Sequence, residues 1–153
     1  VQTGKAAMMP IVLVEGVNRP GVRSYWQHFD SFVRDTLLER HMVSPEDLGL
    51  YYIAPTPQHA ADHIARFYRN YHSSRYVRDQ LVIRVRHELR DGDVESLNAD
   101  FGSLVKEGKI GKSGPLPGEE TNLDLPRIVF RHTRHHFGLV RALIDRINSF
   151  DPA

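Results

Sequence analysis

The run Pro10-Ile11-Val12-Leu13-Val14-Glu15 limits what this chain can fold into more than any other stretch. Ile11, Val12, Leu13 and Val14 follow one another without polar alternation. A strand made of them has two faces to bury, the condition of a strand in a parallel sheet covered by helices on both sides. It is therefore expected at the centre of its sheet. Turn chemistry follows at residues 16–21 (GVNRPG), where Pro20 fixes φ and Gly21 tolerates positive φ. Ser24 is then placed to cap a helix by accepting from a free first-turn amide.

That helix, from residue 25 to about residue 40, carries Trp26, Phe29, Phe32, Val33, Thr36 and Leu37 at helical spacing, with Asp30, Arg34, Asp35 and Glu39 mostly opposite. The aromatic stripe is read as core rather than as a base-stacking platform. Ser44-Pro45-Glu46-Asp47 reads as the start of one short helical turn, with proline and acids suited to a helix N-terminus. Leu50-Tyr51-Tyr52-Ile53 is a second strand, and Thr56-Pro57 caps a second helix whose buried stripe is Ala60, Ala61, Ile64, Phe67, Tyr68 and Tyr71. Strand, helix, strand, helix is the order of one half of a Rossmann-like sheet, in which ligands sit beyond the carboxyl ends of the strands.

The succession of residues 10–14 (PIVLV), Tyr25-Trp26 with Phe29 and Phe32, residues 42–47 (MVSPED), and Thr56-Pro57 followed by Ala60, Ala61 and Ile64 resembles the C-terminal part of the LOG family. The resemblance runs over roughly residues 2–64. It implies a Rossmann-like fold of the kind often mislabelled lysine decarboxylase, in a family that includes phosphoribohydrolases cleaving the N-glycosidic bond of nucleoside 5'-monophosphates. The family's chemistry rests on a Pro-Gly-Gly-x-Gly-Thr-x-x-Glu loop and helix start, with an arginine further upstream. That motif is not found in these 153 residues, so no catalytic residue is carried over. The resemblance implies a chain that is the C-terminal region of such a protein, lacking the N-terminal catalytic region. A substrate-side role falls to Glu15, Asn18 and Arg19, which lie just past the strand end.

Composition excludes several other classes. Lysine and arginine number 20 against 19 acids, a formal net charge of +1, so nothing in the bulk charge argues for nucleic acid or anionic membrane. The chain has no cysteine, which removes disulfides, thiolate metal sites and cysteine nucleophiles together. No apolar run approaches the roughly 18 residues of a membrane span. A soluble, cytoplasmic protein is expected, with no membrane association, and nucleic acid is not an expected partner.

The second half carries two apolar runs, residues 81–86 (LVIRVR) and 127–131 (RIVFR), read as strands. Asp91 or Asp93 caps a helix through about Val105, and Thr133 or Arg134 opens a last helix bearing Phe137, Val140, Leu143, Ile144 and Ile147. The layout is βαβα, with parallel strands expected from right-handed crossovers. Alternation puts Leu81, Ile83 and Val85 on one face and Val82, Arg84 and Arg86 on the other, while Ile128 and Phe130 oppose Arg127, Val129 and Arg131. One sheet face is thus arginine-rich, free to hold a phosphate or nucleic acid backbone, to pair with Glu88, Asp124 and other acids, or to line an interface with a missing N-terminal part. Residues 108–114 contain Gly-Lys-Ser, but a P-loop needs glycine where Lys106 stands, so the segment is read as a mobile surface loop.

Two histidine groups remain. His59 and His63 are spaced to face one metal from a helix, but no third ligand is evident and no metal site is assigned; no cofactor is expected either. Arg131, Thr133, Arg134 and His135 stand where a strand passes into a helix, a setting whose free amides favour an anion.

The expected fold is α/β, a partial Rossmann-like parallel sheet (β-α-β-α, residues 1–73) followed by a smaller βαβα module (residues 74–153). The expected function is that of the C-terminal region of a LOG-like nucleotide-binding protein, not catalytic by itself. The alternative is a non-enzymatic nucleotide- or anion-binding or oligomerisation module. The expected partners are a nucleoside monophosphate or other phosphate-containing small molecule, and a second copy or a missing N-terminal region to cover exposed apolar surface.

Overall fold

A computed structural model describes residues 6–16, 21 and 24–151. Asn18 and Arg19 lie outside the described residues. The fold is mixed α/β, with one two-stranded parallel sheet and one four-stranded antiparallel sheet.

The first sheet joins β1 (Ile11–Val14) to β2 (Tyr51–Ala54) in parallel, Ile11 opposite Tyr51 and Val14 opposite Ala54. The pairing continues one step further, where the Glu15 amide donates to the Ala54 carbonyl at 2.8 Å. Between the strands run α1 (Tyr25–Phe32), a π-helical continuation (Val33–Leu38) and a 3₁₀ turn (Pro45–Leu50). Ser24 caps α1 as expected, its hydroxyl accepting from the Gln27 amide while the Gln27 side chain accepts from the Ser24 amide. After β2, Thr56 caps α2 (Pro57–Phe67) through the His59 amide, 3.3 Å away. β1 is not central: it pairs only with β2 among the described residues, and Ile11 and Val14 stay exposed.

The second half departs from the βαβα expectation. Its sheet runs β3-β4-β6-β5 and every pairing is antiparallel. The apolar runs are β4 (Gln80–Val85) and β6 (Arg127–His132), which lie side by side, Ile83 opposite Ile128. The crossover argument fails because a further strand lies between them in the chain, and another precedes β4. β3 (Tyr71–Val77) turns back tightly into β4, with Val77 opposite Gln80. After α3 (Asp91–Phe101) and a 3₁₀ turn, β5 (Val105–Ser113) occupies the stretch expected to be helix end and surface loop. Gly108 takes φ +79° inside β5, where the register with β6 shifts. The boundary expected after residue 73 falls inside β3.

Face assignment by alternation holds. Leu81, Ile83, Val85, Ile128 and Phe130 enter one core with Leu97, Phe101 and Leu104 from the α3 region. The last helix, α4 (Phe137–Ser149), adds Val140, Leu143, Ile144 and Ile147, the stripe its 3.6-residue period requires. Met8, Leu50 and Phe67, from the segments that precede β1 and β2 and from α2, join the same core. Asn148, buried near the end of α4, fastens this arrangement. Its Oδ1 accepts from the amides of Asn70 and Tyr71, both at 2.8 Å, and its Nδ2 donates to the Phe67 carbonyl at 2.6 Å. α4 begins at Phe137, later than expected, because Arg134 and His136 both adopt left-handed backbone and break the run. No helix among the described residues is long and apolar enough to cross a membrane.

Candidate functional site

Glu15 follows β1 directly, half-buried, and the Ser24 hydroxyl donates to its carboxylate. Because Ser24 also caps α1, the carboxylate is tied to the first turn of that helix. The Trp26 indole closes the link from the other side, donating to the Val14 carbonyl at 2.9 Å. Further along α1, Asp30 accepts from Arg34 Nε at 2.7 Å and from the Tyr51 hydroxyl at 2.6 Å, which pins the helix to β2. Asp30 is held below the ordinary carboxylate range, chiefly by the Arg34 hydrogen bond. The Tyr51 phenol is pushed up to about 12 by burial and then by its bond to Asp30. Glu15 is thus positioned; Asn18 and Arg19, named with it, lie outside the described residues.

The basic turn before α4 is already engaged. Arg131 pairs with Asp79 at 2.9 Å and with Glu107. Arg134 donates to the Arg78 carbonyl at 2.9 Å and lies over the Tyr76 ring, 4.3 Å from its centroid. Thr133 Oγ1 accepts from the His135 amide at 3.4 Å. Buried His132 spans the turn, Nε2 donating to the His135 carbonyl at 3.1 Å and Nδ1 2.5 Å from the Tyr76 hydroxyl. A carbonyl only accepts, so the proton sits on Nε2 and Tyr76 donates to Nδ1. Burial depresses the His132 pKa, in keeping with a neutral ring. Beyond the turn, Gly138 packs so closely on the backbone of Glu46 and Asp47 that this end of α4 is covered.

On the arginine-rich sheet face Arg84 and Arg127 are likewise closed off, while Arg86 and Arg131 stay exposed. Arg84 and Arg127 are directly opposed on β4 and β6, and both grip buried Glu119 from the segment after β5. That segment is therefore anchored to the sheet. Sequence reasoning passed over Glu119 because Pro115, Pro117 and Gly118 mark it as loop, and no local pattern says that a loop carboxylate turns inward.

The histidines of α2 do not converge. His59 Nδ1 is 2.7 Å from the Thr56 hydroxyl, whereas His63 stacks on Tyr52 at 4.3 Å between ring centroids. Among the described residues no group of three histidine, cysteine, aspartate or glutamate side chains is placed to hold a metal ion.

Fold and geometry together define a mixed α/β protein with a short parallel strand pair, a positioned carboxylate at its end, and a core-bearing antiparallel sheet. No family model matches the chain, and neither a curated protein nor a solved structure does.

Proposed function

We propose that residues 10–64 form the strand-end half of a LOG-like nucleotide-binding sheet. In this reading the chain supplies packing, self-association and substrate-side contacts to a protein of the nucleoside 5'-monophosphate phosphoribohydrolase class, and not its catalytic loop. The observation that carries this is the parallel β1–β2 pair with Glu15 at its carboxyl end, held against the capped start of α1. Ligands of open α/β sheets lie in that position. A glycine-rich phosphate loop with its glutamate is not found in the sequence, so the chain by itself lacks the groups that glycosidic cleavage uses. Release of ribose 5-phosphate from AMP and other nucleoside monophosphates is expected to stay at the no-protein background. Turnover by the purified chain, lost on Glu15→Ala, would overturn the division of labour proposed.

The rival placement of an anion at Arg131, Thr133, Arg134 and His135 is weaker on geometry, because both arginines already have acceptors or a ring to cover.

Self-association follows from the same reading. Tyr25, Phe29, Phe32, Met42 and Ile64 are exposed, Tyr25 by 77% and Met42 by 67%, and the β1–β2 pair has free edges among the described residues. Exposed apolar side chains beside open strand edges are characteristic of surfaces that another chain covers. Sedimentation velocity is expected to show a dimer or larger species that Tyr25→Ser with Phe32→Ser returns to monomer. A monodisperse monomer at tens of micromolar protein would count against the idea.

A further inference from the structure

We propose that the cleft between α2 and α4 binds a phosphate group, free or as a phosphomonoester, through Arg141 at its floor and Arg66 and Arg69 at its rim. The inference does not rest on the LOG resemblance and concerns a different surface from the end of β1.

The cleft has a volume of about 480 Å³, and its charged lining is Arg66, Arg69, Arg141 and Asp145, with His63 beside them. Three guanidiniums and one carboxylate thus line the cleft, with a second carboxylate, Asp151, on Arg69. Arg141 is the unusual member, because it is only 3% exposed in the flank of a helix otherwise filled with aliphatic side chains. Its Nε donates to both oxygens of Asp145, at 3.1 and 2.9 Å, and its Cζ lies 4.6 Å from the centroid of the Phe67 ring. These contacts fix the plane and direction of the guanidinium. Nη2 is 3.2 Å from His63 Nε2, whereas Nη1 is buried with no hydrogen-bond partner among the described residues. An arginine only donates, so Nη1 lacks an acceptor in an otherwise furnished site, and a buried donor without one calls for an explanation.

The surroundings of this guanidinium favour an oxyanion. Arg66 makes no side-chain hydrogen bond or ion pair among the described residues. Among the described residues Arg69 is held only by Asp151 at 3.1 Å and by a long bond to the Asn148 carbonyl. Both are exposed and long enough to fold inward over a ligand. Guanidinium groups are well matched to phosphate because their forked donors meet two oxygens at once. His63 reports the field of the cleft: accepting from Arg141, its Nε2 carries no proton, and burial followed by the Arg141 charge lowers its pKa. A bound phosphate would offset the arginine charge and reverse that second effect.

Calorimetry with inorganic phosphate and with AMP, at low ionic strength so that screening does not hide the contact, tests the proposal. Saturable binding of inorganic phosphate is expected, weakened at least ten-fold by Arg66→Ala with Arg69→Ala, two exposed positions whose loss leaves the circular dichroism spectrum intact. Tighter binding of AMP would identify a phosphomonoester, and equal binding the phosphate alone. The His63 ring resonances should move on titration, and the His63 pKa should rise. Arg131→Ala with Arg134→Ala should leave all of this unchanged. Failure of the folded chain to bind either probe, or binding that survives loss of Arg66 and Arg69, would overturn the site.

Discussion

Glu119→Ala is expected to destabilise the protein by about 3–5 kcal/mol, the usual cost of leaving a buried charge without its partner. The carboxylate accepts from Arg84 Nη2 at 2.6 Å and Nε at 3.2 Å through one oxygen, and from Arg127 Nε and the Leu116 amide, each at 2.9 Å, through the other. Removing it strands two guanidiniums on opposed strands, where each already lies against the other's charge. Arg127 would keep the carbonyls of Asn122 and Leu125, but Arg84 would keep only a long bond to the Ser73 hydroxyl. Urea unfolding followed by tryptophan fluorescence and circular dichroism measures the loss. Replacing the whole triad at once, Glu119→Leu with Arg84→Met and Arg127→Met, should cost far less than the single change, since no charge is left buried. A single variant within about 0.5 kcal/mol of wild type, the range of an ordinary surface change, would mean that the triad is not the clamp it looks like.

The same triad sets a pH dependence. Burial by itself would raise the Glu119 pKa, but the Leu116 amide, Arg127 and Arg84 outweigh it and lower the value from 4.5 to about 2. A folded-state pKa below the unfolded one gives stability that is complete above the unfolded value. It is lost as pH falls from about 4.5 toward about 2, because the unfolded chain takes up the proton first. Glu119→Ala should therefore flatten the stability profile across that window while leaving its neutral limb parallel to wild type.

What could be seen in the sequence and what could not follows burial. β4, β6 and α4 announce themselves through apolar runs or a helical stripe, and Ser24 and Thr56 through their capping chemistry; of the α2 stripe Ala60 and Phe67 are buried, Ala61 and Ile64 are exposed, and Tyr71 belongs to β3. β3 and β5 are the two edges of the antiparallel sheet, and edge strands are polar to discourage further pairing. Lys109 and Lys112 on β5 accordingly read as loop, while Ser73, Ser74 and Arg75 on β3 suggest no element and Tyr71 at its start reads as the end of a helical stripe. Without β5 between them in the chain, β4 and β6 look parallel. The candidate site residues divide in the same way: Glu15 draws attention by its place after a strand, but Arg141 sits amid an aliphatic stripe and stands out only when α2 is laid beside α4. Glu119 and Asn148 work through contacts remote in sequence, for which no periodicity exists.

Gly138→Ala should be the other strongly disruptive change, by about 3 kcal/mol, at the upper end of what over-packing costs. A β-carbon there would lie 2.5 Å from the Glu46 carbonyl carbon, 2.6 Å from its oxygen and 2.7 Å from the Asp47 nitrogen. All three are backbone atoms in the Pro45–Leu50 turn, so no side-chain rotation relieves the clash. Either α4 withdraws, pulling Val140, Leu143 and Ile144 from the core, or the turn lifts and takes buried Leu50 with it. This turn leads directly into β2, so its release also loosens the strand pair that ends at Glu15. Gly92 supplies the contrast: it is helical in α3 with nothing within 4 Å of a β-carbon, and Gly92→Ala should stabilise by about 0.5–1 kcal/mol. Opposite signs for two glycine-to-alanine changes in helices, with faster amide exchange at residues 45–54 in the Gly138 variant alone, would tie the cost to this contact. Equal effects at the two positions would refute it.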